Sequence, residues 1–138
     1  MNTYIERLQQ VSLFAECSKK ELENLAHVLD EVALPAERVM ATQGQHGREA
    51  FIILSGTARV ERDGVEVAQL GPGDYFGELS LLDAGPRNAT VIANEPIDVL
   101  VMGRQQFNTV LDDVPGLARR LLITTARRLR EVSDNEVH

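Results

Sequence analysis

The sequence predicts a mainly β domain with helices at both ends, its middle folded as a sandwich, jelly roll or small barrel. Short strand-type runs, Ala50 to Leu54, Thr57 to Arg62, Val65 to Leu70, Thr90 to Ala93 and Ile97 to Met102, are punctuated by Gly, Pro and Asp at the spacing expected of an all-β fold. Apolar residues at helical spacing are confined to residues 1–34 and 103–138. A length of 138 residues suits a single folding unit, and no internal repeat divides it.

Taken in order, Ile5, Leu8 and Val11 recur at helical spacing. Ser18-Lys19-Lys20-Glu21 then reads as a capping box ahead of an apolar stripe of Leu22, Leu25, Ala26 and Leu29. From Pro35 to Met102 the rhythm is that of strands. Asp63-Gly64 can supply the positive φ of a two-residue hairpin turn. Such a turn sets Ala58, Val60, Val65 and Val67 on the buried side and Arg59, Glu61 and Glu66 outside. Beyond Met102 the helical period returns in Gln105 to Leu111, which ends before Pro115, and in Gly116 to Glu131 with Leu117, Leu121, Leu122 and Leu129.

Composition narrows the function. Hydrophobic residues are 43% and charged residues 25%, which excludes wholesale disorder and collagen-like repeats. With no Trp, two Tyr and four Phe, stacking platforms for single-stranded nucleic acid are nearly absent. The net charge of −7, from 21 acidic against 14 basic residues, repels nucleic acid and anionic membranes unless a local patch overrides it. Cys17 is the sole cysteine; an internal disulfide and a Cys/His zinc site are thereby excluded, in keeping with a reducing cytoplasm. No apolar run approaches the ~20 residues of a membrane span. His27, His46 and His138 share no ligand spacing, Ser55-Gly56 lacks the context of a hydrolase nucleophile, and no catalytic constellation is visible, so no enzyme activity is expected.

The chemistry concentrates between Gly71 and Ala93. Tyr75-Phe76 leads into Gly77-Glu78-Leu79-Ser80-Leu81-Leu82, suited to one helical turn wedged between strands. The unpaired N–H groups of such a turn, with Gly77 permitting close approach, favour an anionic oxygen, to which Arg87 can add a charge-assisted fork. A phosphate is the guest these groups suit. Glu78 would be repelled by an anion but can accept from a sugar hydroxyl, so Glu78 and Arg87 together could read the ribose and phosphate of one nucleotide. The alternative is that Glu78 complements the turn's dipole and pairs with Arg87.

Phe76-Gly77-Glu78-Leu79-Ser80-Leu81-Leu82, followed by Pro86-Arg87-Asn88-Ala89-Thr90-Val91, resembles the phosphate-binding cassette of cyclic-nucleotide-binding domains, the family of the catabolite activator protein and the regulatory subunits of cAMP-dependent protein kinase. The resemblance extends through Gln43-Gly44, Phe51-Ile52-Ile53-Leu54-Ser55-Gly56 and Asp63-Gly64 to Ala126-Arg127-Arg128-Leu129. It implies an eight-stranded β-roll (jelly roll) over 35–102, holding the cassette at 76–90, between N-terminal helices (1–34) and C-terminal helices (103–138) whose last member is a lid. By resemblance, Glu78 accepts the ribose 2′-hydroxyl, Arg87 pairs with the cyclic phosphate, and amides near Leu79, Ser80, Asn88 and Ala89 complete the cradle. Val60 and Val67 match positions that wall the base, and the lid helix brings Val132 and Ser133 near it. Asn88 departs from the Ser, Thr or Ala usual after the arginine; the lack of Thr there points to cAMP over cGMP. Asn88 also motivates a second reading, a β-roll interaction module that no longer binds nucleotide.

The expected output is movement of the C-terminal helix, read by a protein partner or by an effector domain absent from this sequence. Arg119, Arg120, Arg127, Arg128 and Arg130 form the local basic excess on that helix, read as a solvated face or a partner-docking surface. Ala118, Leu122, Thr125, Leu129 and Val132 offer a homodimer seam, with packing against the chain's own roll as the alternative. Seven residues follow Glu131, too few for a helix-turn-helix, so no nucleic-acid partner is expected.

Overall fold

A computed structural model describes residues 3–78, 81, 85–114 and 116–136. Helix α1 (Thr3–Gln9) and a 3-10 turn (Ser12–Phe14) precede α2 (Lys19–Val28). Eight strands follow among the described residues: β1 (Asp30–Leu34), β2 (Val39–Ala41), β3 (Glu49–Ser55), β4 (Ala58–Arg62), β5 (Val65–Leu70), β6 (Tyr75–Phe76), β7 (Thr90–Ala93) and β8 (Ile97–Gly103). Helices α3 (Arg104–Asp113) and α4 (Leu117–Glu136) close the chain. Sheet structure begins at Asp30, ahead of Pro35, so β1 falls within the stretch assigned to the N-terminal helices.

The strands form two four-stranded sheets, ordered β1-β8-β3-β6 and β2-β7-β4-β5, all pairs antiparallel. Strand periodicity sorts β3 and β8 between two cores. Phe51, Ile53, Ile97 and Val99 turn inward to meet Ala58, Val91 and Ala93 of the second sheet. Ala50, Ile52, Leu100 and Met102 turn outward into a layer made by Leu8, Phe14, Leu22, Leu25, Phe107, Val110 and Leu117. With both faces covered, these strands are apolar at successive positions rather than alternating, which is why they are the clearest runs in the sequence.

The Ser18 cap forms as read: its side chain accepts from the Glu21 N–H at 3.1 Å, and the Glu21 carboxylate accepts from the Ser18 N–H at 2.8 Å. Ser18→Ala is expected to cost about 1 kcal/mol, measured as a lower urea midpoint at unchanged slope.

The hairpin turn also forms as read, with φ +55° at Asp63 and +81° at Gly64. Its sidedness does not. Arg62 pairs with Val65 and Glu61 with Glu66, but Val60 pairs with Ala68, so Val67 is an extra residue and the ladder carries a bulge. Val65 and Val67 are 63% and 52% exposed on this edge strand, correcting their placement on the buried side. Ala58 is buried and Val60 packs partly against the inner core. Arg59, expected outside, is half-buried; its fork holds Glu37 at 3.0 Å through both Nη atoms, and that hydrogen bonding lowers the Glu37 carboxyl below its usual range.

Helix α4 packs on the chain itself through Leu117 and Leu121, whereas Leu122 is 68% exposed, correcting its place in the apolar stripe. The Ala118 and Leu122 part of the dimer seam is open to solvent; the side chains of Leu129 and Val132 lie outside the described residues. Arg120 is not part of a solvated face: it donates to the Leu13 carbonyl oxygen and, at 2.9 Å, to Glu16. Cys17 is buried nearby, and burial raises its thiol pKa. Among the described residues no helix is long and apolar enough to cross a membrane.

Candidate functional site

The site sits where β6, the start of β3, the loop after β2 and the segment entering β7 meet. Gly77 follows the two residues of β6 with φ +89°, a left-handed conformation that L side chains resist. This turns the chain from the strand into the helical residues Glu78 and Leu81. Glu78 is 4% exposed, the only buried charged residue among those described. Leu79 and Ser80, assigned to the anion cradle, lie outside the described residues.

Arg87 is held by backbone at its root. Its N–H donates to Gln45 O at 2.8 Å, and Gly44 N–H donates to Arg87 O at 2.8 Å, while His46 and Pro86 form an antiparallel bridge. The side chain runs back to β3, where Nη2 donates to the Glu49 carbonyl oxygen at 2.9 Å. The guanidinium lies in a slot between two glycines. A Cβ on Gly47 would come within 2.5 Å of Cζ and 2.7 Å of Nε, and a Cβ on Gly77 within 2.6 Å of Nη1. Beside the slot Phe51 and Phe76 stack with centroids 4.8 Å apart, and Cζ stands 6.0 Å from the Phe51 ring centre.

The described residues do not fully serve this cation. Nη1 is buried with no hydrogen-bond partner among the described residues. Burial pushes the guanidinium pKa below its usual range, and the Glu49 and Glu78 carboxylates partly counter this. An unsatisfied buried donor costs about 1–3 kcal/mol, more when charged. An anionic oxygen at Nη1 would remove that cost and gain a charge-assisted bond. The residues present therefore fit a phosphate, by a local arrangement that works against the chain's net charge of −7.

Of the other assigned residues, Asn88 is exposed and Ala89 buried; the Asn88 carbonyl accepts from Arg62 Nε at 3.1 Å. That contact ties the segment after Arg87 to the end of β4, two residues from Val60. Val67 lies across the hairpin from Val60 at the bulge. Ser133 lies on α4, with its side chain outside the described residues. Three participants carried no sequence signal: Gly47, the Glu49 carbonyl and the Gln45 carbonyl. Two act through backbone oxygen, which any residue supplies, and Gly47 acts by lacking a side chain.

Comparison with known proteins agrees with this geometry. Residues 31–113 match the cyclic nucleotide-binding domain family. The cAMP-dependent protein kinase regulatory subunit of Aspergillus niger is 35% identical over 115 residues, covering 82% of this chain and 28% of that protein, so the chain spans little more than a quarter of that curated relative. The crystal structure of the Thermus thermophilus catabolite activator protein superposes with TM-score 0.81 at 33% identity, over 91% of this chain and 61% of that one. The regulatory domain of Toxoplasma gondii PKA, co-crystallised with cAMP, superposes with TM-score 0.79 at 25% identity, over 91% of this chain and 49% of that one. The buried arginine slot, the two-sheet roll and the matched residues give one conclusion: this chain belongs to the cyclic nucleotide-binding domain family.

Proposed function

We propose that the chain is a cAMP-binding regulatory domain that signals through its C-terminal helix. The observation that carries this is the Arg87 guanidinium, set between two glycines with Nη1 buried and unpartnered among the described residues. Arg87 would hold the cyclic phosphate, joined by amides of Leu79, Ser80, Asn88 and Ala89. Glu78, buried at the foot of the cassette turn, would accept from the ribose hydroxyl. Val60 and the exposed Val67 would wall the base, with Ser133 of α4 reaching it on closure.

The helix moves in response only as far as the nucleotide binds its closed arrangement more tightly than its open one. Arg120 fixes the near end of α4 to the N-terminal turn, and the exposed Leu122 and Ile123 offer apolar surface to an effector or to a second copy. Any effector domain would read that surface, and no catalysis is assigned to the chain.

The test is thermal unfolding in the presence of cAMP, cGMP and 5′-AMP. A ligand at a hundredfold excess over Kd stabilises by about 2.7 kcal/mol, a shift of several degrees at this chain length. The expected order is cAMP, then cGMP, with 5′-AMP without effect. Unfolding temperatures unmoved by any cyclic nucleotide at millimolar concentration would favour the interaction-module reading instead.

A further inference from the structure

We infer that Gln43 is a positioning residue for Arg87, acting through a hydrogen-bonded hub that fastens the tip of the β4–β5 hairpin to the loop holding the Arg87 backbone. The inference deepens the reading of Arg87 as the phosphate ligand and rests on it. The Gln43 carboxamide makes two bonds to one residue: Nε2 donates to Asp63 Oδ1 at 2.8 Å, and Oε1 accepts from the Asp63 N–H at 2.8 Å. Its own N–H donates to Thr90 Oγ1 at 3.0 Å. The next two residues, Gly44 and Gln45, take the carbonyl and the N–H of Arg87. Arg62, beside Asp63, closes the circuit on the Asn88 carbonyl.

Three segments far apart in sequence thus meet at one residue, Gln43, through its side chain to Asp63 and its backbone N–H to Thr90. Residues 62–63 are the hairpin tip, 43–47 include the glycine face of the arginine slot, and 86–90 carry Arg87 itself. A carboxamide can donate to the Asp63 carboxylate and accept from its N–H at the same time; a carboxylate or a hydrocarbon of similar length cannot. A shift of loop 43–47 would move the backbone partners of Arg87 and the Gly47 wall together. Because Val60 lies on the strand that ends at this hub, Gln43 also links the proposed base wall to the phosphate position.

The chemistry supplies its own control, since exchanging the two side-chain types keeps the donor and acceptor count. Gln43→Glu sets a carboxylate against the Asp63 carboxylate. Asp63→Asn on that background gives an amide donor back to the pair, and Asn tolerates the left-handed turn position. Gln43→Glu is expected to weaken cAMP binding about tenfold, and Gln43→Glu with Asp63→Asn to restore it to within about threefold of the natural chain. Gln43→Ala provides a milder loss should the charged variant fold poorly.

Heteronuclear NMR of the ligand-free protein gives an independent readout. The Arg87 amide and Nε–H resonances should move in Gln43→Glu and return in the double variant. Unmoved Arg87 resonances, or a loss of affinity that a folded double variant does not recover, would overturn the inference. If the natural chain binds no cyclic nucleotide, the ligand reading fails while the NMR comparison still decides the role of Gln43.

Discussion

Arg87→Ala is expected to lower the affinity for cAMP by about ten- to a hundredfold or more, the equivalent of the ~1.5–3 kcal/mol of a hydrogen bond to a charged group. The fold should survive it. Among the described residues the guanidinium makes one hydrogen bond, to the Glu49 carbonyl oxygen, and Nη1 has no partner there. Removing the half-buried guanidinium relieves its own desolvation cost but takes a countercharge from the buried Glu78 carboxylate, and with these effects opposed the unliganded variant should unfold within a few degrees of the natural chain. Lysine would keep the charge but lose the planar fork, and is expected to recover only part of the affinity. Comparing unfolding temperature with binding for the two variants separates a binding residue from a structural one.

Gly77→Ala is expected to damage both folding and binding. At φ +89° an L side chain is strained, and its Cβ would stand 2.7 Å from the Glu49 carbonyl oxygen and 3.3 Å from Ala50 Cα. Those are backbone atoms of β3 at positions paired with Gly103 and Met102 of β8, and they cannot move aside cheaply. Strain and overpacking together should cost about 2 kcal/mol or more, seen as a clear fall in the denaturant midpoint. Gly47→Ala makes the informative contrast. Its φ is not in the left-handed region, and the three atoms nearest its new Cβ all belong to the Arg87 guanidinium, the far end of a long side chain. Stability should change little, while cAMP affinity falls about tenfold as the fork is displaced. Equal effects of the two substitutions on stability would argue against the slot.

The sequence showed most clearly the elements with local or two-sided burial signals. Strands β3 and β8 read plainly because they lie between two cores, and Asp63-Gly64 named its own turn. Strands β1, β2 and β6 escaped notice for physical reasons. Asp30 and Glu31 open an edge strand with solvent-facing positions, β2 has three residues and β6 two, so pairing with β8, β7 and β3 creates them rather than local preference. The bulge at Val67 has no Gly or Pro to announce it and shifts only the residues beyond Glu66; Val65 is misplaced because every position from Val65 to Gln69 is exposed on this edge strand. On α4, the stripe reading put Leu122 with Leu121, although only the latter faces the core.

At the site, Gly77, Glu78 and Arg87 were legible because they fall in one short run with a turn between them. The second wall of the slot was not. The Arg87 partner at Glu49 lies 38 positions upstream, Gln45 lies farther still, and both contribute backbone atoms, while Gly47 contributes an absent side chain. Gln43 was visible as part of a resemblance, without the role that its bonds to Asp63 suggest.

The central claim is that Arg87 in its glycine slot holds the phosphate of a cyclic nucleotide. Calorimetric titration of cAMP into the natural chain and into Arg87→Ala tests it most directly. The expected result is saturable binding of one nucleotide per chain, weakened at least about tenfold in the variant. Absence of binding heat with millimolar cAMP, or indistinguishable isotherms for the two proteins, would contradict it.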